Sequence, residues 1–81
     1  MDRKQIEDEL IGIIQNYAEV DRTAILNGAP LDQLVDSMAF LEIIFDAEDK
    51  FGISVEDEDV KSLKTFEDVV RGIESLIAAK A

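Results

Sequence analysis

Apolar residues recur at helical spacing in the first stretch of this 81-residue chain. The steps between Ile6, Leu10, Ile13, Ile14 and Tyr17 are four, three, one and three residues, which is the spacing of one face of an α-helix. The pattern predicts a first helix over about residues 3–18.

A second stretch of apolar residues begins after Asp36. A short acid at this position accepts hydrogen bonds from the free backbone N–H groups of a first helical turn and faces the positive end of the helix dipole. We therefore predict a helix from Ser37 to about Lys50. Gly52 offers the left-handed conformation that commonly ends a helix, and Phe51 is an apolar anchor just before it.

Two more helices are predicted in the second half of the chain. The acidic run Glu56–Asp59 before Val60 favours the start of a short helix. Thr65, with Asp68 three residues later, resembles a capping box and begins a helix that continues to about Ala79. Its apolar residues repeat at helical spacing: Phe66, Val69, Val70, Ile73, Leu76 and Ile77.

Periodicity is lost between residues 19 and 36, where Asn27-Gly28 and the only proline, Pro30, indicate turns. We predict a long loop whose apolar residues hold it on the bundle: Ile25, Leu26, Leu31 and Leu34. No stretch alternates strictly between apolar and polar residues, so a sheet is not expected. The predicted fold is all-α: residues 1–81 form a single domain, a small four-helix bundle with three long helices, one short helix and a long first loop.

The second helix is apolar on two sides. At about 100° per residue, one side carries a core stripe of Phe40, Ile43, Ile44, Ala47 and Phe51, and the other carries Met38, Leu41 and Phe45. Four acids flank the second stripe: Glu42, Asp46, Glu48 and Asp49. Since buried, unpaired carboxylates would be costly, we interpret this side as an exposed docking surface with an acidic rim.

The composition excludes several classes of function. Nineteen acids against eight bases give a net charge of -11, which repels nucleic acid and anionic membranes and attracts basic protein surfaces. Neither histidine nor cysteine is present, which removes the usual general base, the thiol nucleophile and the commonest zinc ligands. No apolar stretch is long enough to span a bilayer. We expect a cytoplasmic protein without catalytic residues, a metal site or membrane insertion.

Ser37 stands at the exposed first turn of the docking helix. It has no histidine to activate it, and its flanking residues lack the glycine pattern of a nucleophile elbow, so a hydrolase is disfavoured. On its own, Ser37 would be interpreted as sharing the helix cap with Asp36.

Several segments together resemble the acyl carrier protein family over essentially the full chain. They are Asp36-Ser37-Met38, Leu41-Glu42-Ile43-Ile44, residues 48–53, the acidic run Glu56–Asp59, and Thr65-Phe66 with Asp68-Val69. The resemblance implies that Ser37, flanked by Asp36 and Met38, receives 4′-phosphopantetheine from coenzyme A through a carrier-protein synthase. It also implies that an acyl group is then held on this arm as a thioester.

The resemblance further implies a monomer whose partners are the carrier-protein synthase and the enzymes that load and transfer the acyl group through basic patches. The predicted partner-binding residues are Leu41, Glu42, Phe45, Asp46, Glu48, Asp49, Glu56 and Asp57. The core implied to shelter the acyl chain comprises Phe40, Ile43, Ile44, Phe51, Ile53, Val60, Leu63, Phe66, Val69 and Ile73.

Alternatives stay open at this stage. The cargo is either a fatty acyl chain of general synthesis or an unusual acyl, hydroxyacyl or aminoacyl group of a dedicated pathway, and a peptidyl carrier is a related reading. A different class is an acidic helical interaction module, unmodified or phosphorylated on Ser37. A calcium-binding hand over residues 46–57 is disfavoured, because Lys50 occupies a ligand position and Phe51 stands where the sharp turn needs glycine.

Overall fold

The computed structural model describes residues 2–80. Within them lie six helices: α1 Arg3–Tyr17, α2 Arg22–Leu26, α3 Leu31–Leu34, α4 Ser37–Phe51, α5 Asp57–Ser62 and α6 Phe66–Lys80. The only bridge of β type in this part of the chain is an isolated antiparallel one between Pro30 and Thr65. The all-α prediction is confirmed, and α1, α4, α5 and α6 correspond to the four predicted helices.

The long first connection predicted over residues 19–36 is present, but it contains two short helices, α2 and α3, that the sequence did not predict. The carboxylate of Asp21 accepts a hydrogen bond from the backbone N–H of Ala24 at 2.8 Å and thereby starts α2. Ile25 and Leu31 are buried as expected. Leu26, in contrast, is 46% exposed and does not anchor the segment.

The capping box predicted at Thr65 and Asp68 begins α6. The carboxylate of Asp68 accepts from the backbone N–H of Lys64 at 3.1 Å and of Thr65 at 3.2 Å, while the Thr65 hydroxyl accepts from the N–H of Asp68 at 3.2 Å. These bonds, first those from the two backbone N–H groups, lower the pKa of Asp68. The end of α4 is also as predicted, with Gly52 in the left-handed region at φ 67°.

The core is built around α1, which packs against both α4 and α6, while α3 packs against α4. Of the core predicted from sequence, the buried members are Ile43, Ile44, Ile53, Phe66, Val69 and Ile73. The others pack against it as partly buried residues: Phe40, Phe51, Val60 and Leu63. None of the helices within residues 2–80 combines the length and apolarity needed to cross a membrane.

Arg3 ties the start of α1 to α6. Its guanidinium donates to Glu7 at 3.1 Å, to Glu74 at 3.1 Å, and to Glu67. The bond to Arg3 is the main reason that the pKa of Glu67 is lowered. The contact offsets part of the repulsion among acids on this side of the bundle.

Two phenylalanines with opposite environments give a test of the core. Phe66 is 4% exposed and Phe45 is 61% exposed. Phe66→Ala should lower the free energy of unfolding by about 3 to 5 kcal/mol, because it removes buried area and leaves a cavity. Phe45→Ala should change the free energy by less than about 0.5 kcal/mol. Urea unfolding followed by circular dichroism measures both, and equal losses would contradict the assigned faces of α4 and α6.

Candidate functional site

The start of α4 is fixed by Asp36. Its carboxylate accepts a hydrogen bond from the backbone N–H of Ala39 at 2.8 Å, and its backbone carbonyl accepts from the N–H of Phe40 at 2.9 Å. Val35, just before it, is 7% exposed and anchors the chain in the core. Since Asp36, Ser37 and Met38 are exposed, the chain leaves the core at Val35 and immediately presents the first turn of α4 to solvent.

Ser37 is the first residue of α4, and within residues 2–80 its hydroxyl has no hydrogen-bond partner. The backbone N–H groups of Ser37 and Met38 likewise have no acceptor in that part of the chain. Asp36 alone therefore caps the helix, and the reading in which Ser37 shares the cap is wrong. A free hydroxyl beside free N–H groups at the positive end of a helix suits a phosphate-bearing group.

A surface groove of about 690 Å³ adjoins Ser37. Its apolar walls come from Leu31 and Val35 on one side, Phe40 on α4, and Leu63 before α6. The charged residues among those that line it are Asp32, Asp36 and Lys64. The groove is thus mainly apolar with a few charged residues, and Ser37 is one of the residues that line it.

A second cavity, of about 460 Å³, lies between α4, α5 and α6. Its apolar lining includes Ile44, Ala47, Val69, Ile73 and Leu76. Leu63 lines this cavity as well as the groove beside Ser37, so the two spaces are neighbours that share one lining residue. Four of the core residues predicted to shelter an acyl chain line this cavity: Ile44, Leu63, Val69 and Ile73.

The second apolar stripe of α4 is exposed, as the sequence predicts. Met38 is 74% exposed, Leu41 45% and Phe45 61%. Glu42 and Asp49 beside this stripe are exposed and form no ion pair within residues 2–80. The stripe and these two acids together form the surface that the sequence predicts for docking, called the docking surface of α4 below.

Two further acids of α4 already have hydrogen-bond partners. The carboxylate of Asp46 accepts from the hydroxyl of Tyr17 at 2.5 Å, and that of Glu48 accepts from the backbone N–H of Val55 at 2.8 Å. Both residues are only partly exposed, so their carboxylates are held in place by the protein. Glu56 and Asp57 lie exposed at the start of α5, where acids favour the helix N-terminus.

Sequence reasoning assigned Tyr17 to the core face of α1, but it is 37% exposed and belongs to the edge of the docking surface. The hydrogen bond to Asp46 is the main cause that raises the pKa of Tyr17 from 10.0 to about 12, and desolvation and the charges of Asp46 and Glu42 add to it. The sequence does contain a signal for this position: Tyr17 places a hydroxyl at the end of an otherwise aliphatic stripe, and a partly buried tyrosine usually has a polar partner.

The geometry rules out a calcium-binding hand over residues 46–57. Residues 46–51 form the last part of α4, whereas a hand needs these positions in a ligand loop. Within residues 2–80 no group of three acids is close enough together to hold a metal ion.

Comparison with known proteins agrees with this geometry. A family model described as a phosphopantetheine attachment site matches residues 8–78. The acyl carrier protein of Rhodococcus erythropolis is 37% identical over 78 residues, which cover 95% of this chain and 79% of that protein. The acyl carrier protein of Tropheryma whipplei is 31% identical over 83 residues, which cover 100% of this chain and 98% of that protein.

A third relative, the acyl carrier protein of Thermobifida fusca, is 37% identical over 73 residues, 88% of this chain and 92% of that protein. The fold and the family match define a helical domain of the phosphopantetheine-binding class. The chain belongs to the acyl carrier protein family.

The contact between Tyr17 and Asp46 can be tested directly, because Tyr17 is the only tyrosine and the chain lacks tryptophan. Ultraviolet titration should give a phenol pKa of about 12 in the wild type and a value closer to 10.0 in Asp46→Asn. Since the folded-state pKa is raised, the stability that this contact contributes is present below pH 10 and is lost as the pH rises towards 12.

Asp49→Asn is the matched control for that titration, because Asp49 does not contact Tyr17 and its removal should leave the phenol pKa unchanged. Circular dichroism at each pH separates titration from unfolding. A wild-type phenol pKa near 10.0 in the folded protein, or no change in Asp46→Asn, would contradict the contact.

Proposed function

We propose that this chain is a non-catalytic carrier that holds an acyl group on a 4′-phosphopantetheine arm attached to Ser37. The observation that carries the proposal is the position of Ser37: an exposed hydroxyl without a hydrogen-bond partner in residues 2–80, at the start of a 15-residue helix inside the matched region. The interaction module without a prosthetic group is disfavoured, because the matching family is defined by phosphopantetheine attachment.

The residues at the site fit the group. The free N–H groups of Ser37 and Met38 suit the phosphodiester, and the groove that Ser37 helps to line has room for a chain with amide groups. When bound, the group supplies a terminal thiol for the acyl thioester, which this cysteine-free chain lacks. No base of this chain contacts the Ser37 hydroxyl within the described residues, so the carrier-protein synthase must supply its activation.

Partner enzymes would bind the docking surface of α4. Met38, Leu41 and Phe45 supply apolar contact area, and the unpaired charges of Glu42 and Asp49 attract basic patches on those enzymes. Asp46 and Glu48 contribute negative charge at fixed positions, and Glu56 and Asp57 extend it to α5. The partners in this proposal are the carrier-protein synthase and the enzymes that load and transfer the acyl group.

The cavity between α4, α5 and α6 supports an acyl cargo. Its aliphatic lining, which includes Ile44, Val69 and Leu76, can take an apolar chain out of water. Such shelter would protect a reactive thioester until a partner enzyme binds. A fatty acyl chain and a specialised acyl group with an apolar tail both meet this requirement.

The attachment residue can be tested by intact mass. After incubation with coenzyme A and a broad-specificity carrier-protein synthase, the wild type should gain the mass of one phosphopantetheine, and Ser37→Ala should gain none. Ser54→Ala is the matched control, because Ser54 is exposed but lies outside the helix start, and it should be modified as the wild type is. An unmodified wild type, or a modified Ser37→Ala, would contradict the assignment.

Charge reversal tests the docking surface. Glu42→Lys and Asp49→Lys should each lower the rate of modification by a synthase with a basic docking patch by about 3- to 10-fold at low salt, because electrostatic steering is lost. High salt should reduce the difference from the wild type, since it screens the charges of both proteins.

Glu19→Lys is the control for the charge reversals, because Glu19 is exposed between α1 and α2, away from α4. It makes the same change in net charge and should leave the rate nearly unchanged. If all three variants are slowed equally, net charge alone governs recognition and the docking surface is misplaced.

A further inference from the structure

The few basic residues of this chain are mostly engaged within the protein. Arg3, Arg22, Lys50 and Arg71 form ion pairs with acids, and the ammonium of Lys80 donates to the carbonyl of Gly52 at 2.5 Å. Within residues 2–80, three of the eight bases have neither an ion pair nor a side-chain hydrogen bond: Lys4, Lys61 and Lys64. An unpaired cation in a chain with a net charge of -11 is available for an anion from outside the chain.

Of these three lysines, only Lys64 lines the groove beside Ser37. Its backbone is fixed there from two sides. The carbonyl of Lys64 accepts from the N–H of Leu31 at 2.8 Å, and its N–H donates to the carboxylate of Asp68 at 3.1 Å. The backbone of Lys64 is therefore held beside the groove, while its side chain is exposed.

The residues around Ser37 carry negative charge that a nearby cation would offset. Asp32 and Asp36 also line the groove, so a phosphodiester on Ser37 would add a negative charge next to two carboxylates. The free N–H groups at the start of α4 offset part of the repulsion. Lys64 is the only basic side chain among the residues that line the groove, so it is the group that can offset the rest.

We propose that Lys64 is a positioning residue whose ammonium pairs with the phosphodiester anion on Ser37 and holds the start of the arm along the groove. The proposal rests on the attachment of phosphopantetheine to Ser37. It predicts that the arm leaves Ser37 towards Lys64 and Leu63, in the direction of the cavity between α4, α5 and α6.

The first test compares the thermal midpoints of the modified and unmodified forms of each variant. The quantity compared is the thermal midpoint of the modified form minus that of the unmodified form. At low salt, this difference should be about 1 to 4 °C smaller in Lys64→Gln than in the wild type, and Lys64→Arg should keep the wild-type value. The effect should fade in about 1 M salt. Because each variant is compared with its own unmodified form, a general change in stability cancels.

Lys61→Gln is the matched control, because Lys61 is also exposed and unpaired, but it lies on α5 and does not line the groove. It makes the same change in net charge and should keep the wild-type difference. The proposal is wrong if Lys64→Gln keeps the full difference, or if Lys61→Gln loses as much.

The second test needs no variant. Mild acetylation of the wild type, read by peptide mass spectrometry, should label Lys64 roughly 1.5- to 5-fold more slowly in the modified form, because an ion pair keeps its ammonium protonated. Lys4 and Lys61 serve as internal references whose labelling should not change. Failure of the wild type to gain the phosphopantetheine mass would contradict the attachment at Ser37, whereas full modification with unchanged Lys64 labelling would contradict only the role of Lys64.

Discussion

The arrangement of the site depends on how α4 is fixed at its two ends. The carboxylate of Asp36 caps the first turn, and Gly52 ends the helix in the left-handed region at φ 67°. With both ends fixed and one side buried through Ile43, Ile44 and Ala47, the rotation of the helix about its axis is determined. Ser37 must then lie at the exposed end, and the second apolar stripe must face solvent. The same constraint therefore places the proposed attachment residue and the proposed docking surface on one rigid element.

Charge is distributed unevenly over the bundle. Near the start of α1, Arg3 contacts three acids of α1 and α6 and offsets their repulsion. On the docking surface of α4, Glu42 and Asp49 have no basic neighbour that forms an ion pair within the described residues. The α4 surface therefore keeps negative charge without an ion pair, while the side that Arg3 ties together is partly neutralised. Lys64 is the one basic residue that lines the groove beside Ser37, where the other charged lining residues are acids.

The long helices and the exposure of the α4 stripe could be predicted from sequence, because a period of 3.6 residues is clear over 15 residues and because acids beside an apolar stripe exclude its burial. The short helices α2 and α3 could not, since four or five residues form about one turn and give no period. Their formation depends on the Asp21 cap and on burial of Ile25 and Leu31. The contact between Tyr17 and Asp46 joins residues 29 positions apart, and local patterns carry no information about such pairs.

Counting acids along α4 overestimates the charge that is free to bind a partner. Glu48 and Asp49 are adjacent, yet the carboxylate of Glu48 accepts from the N–H of Val55 and helps to fix the loop after α4, while Asp49 is exposed and unpaired within residues 2–80. A partner cation at Glu48 must compete with an existing hydrogen bond, whereas one at Asp49 need not. Asp46 is similarly engaged by Tyr17. Recognition by charge should therefore depend mainly on Glu42 and Asp49, with Asp46 and Glu48 setting the shape of the surface around them.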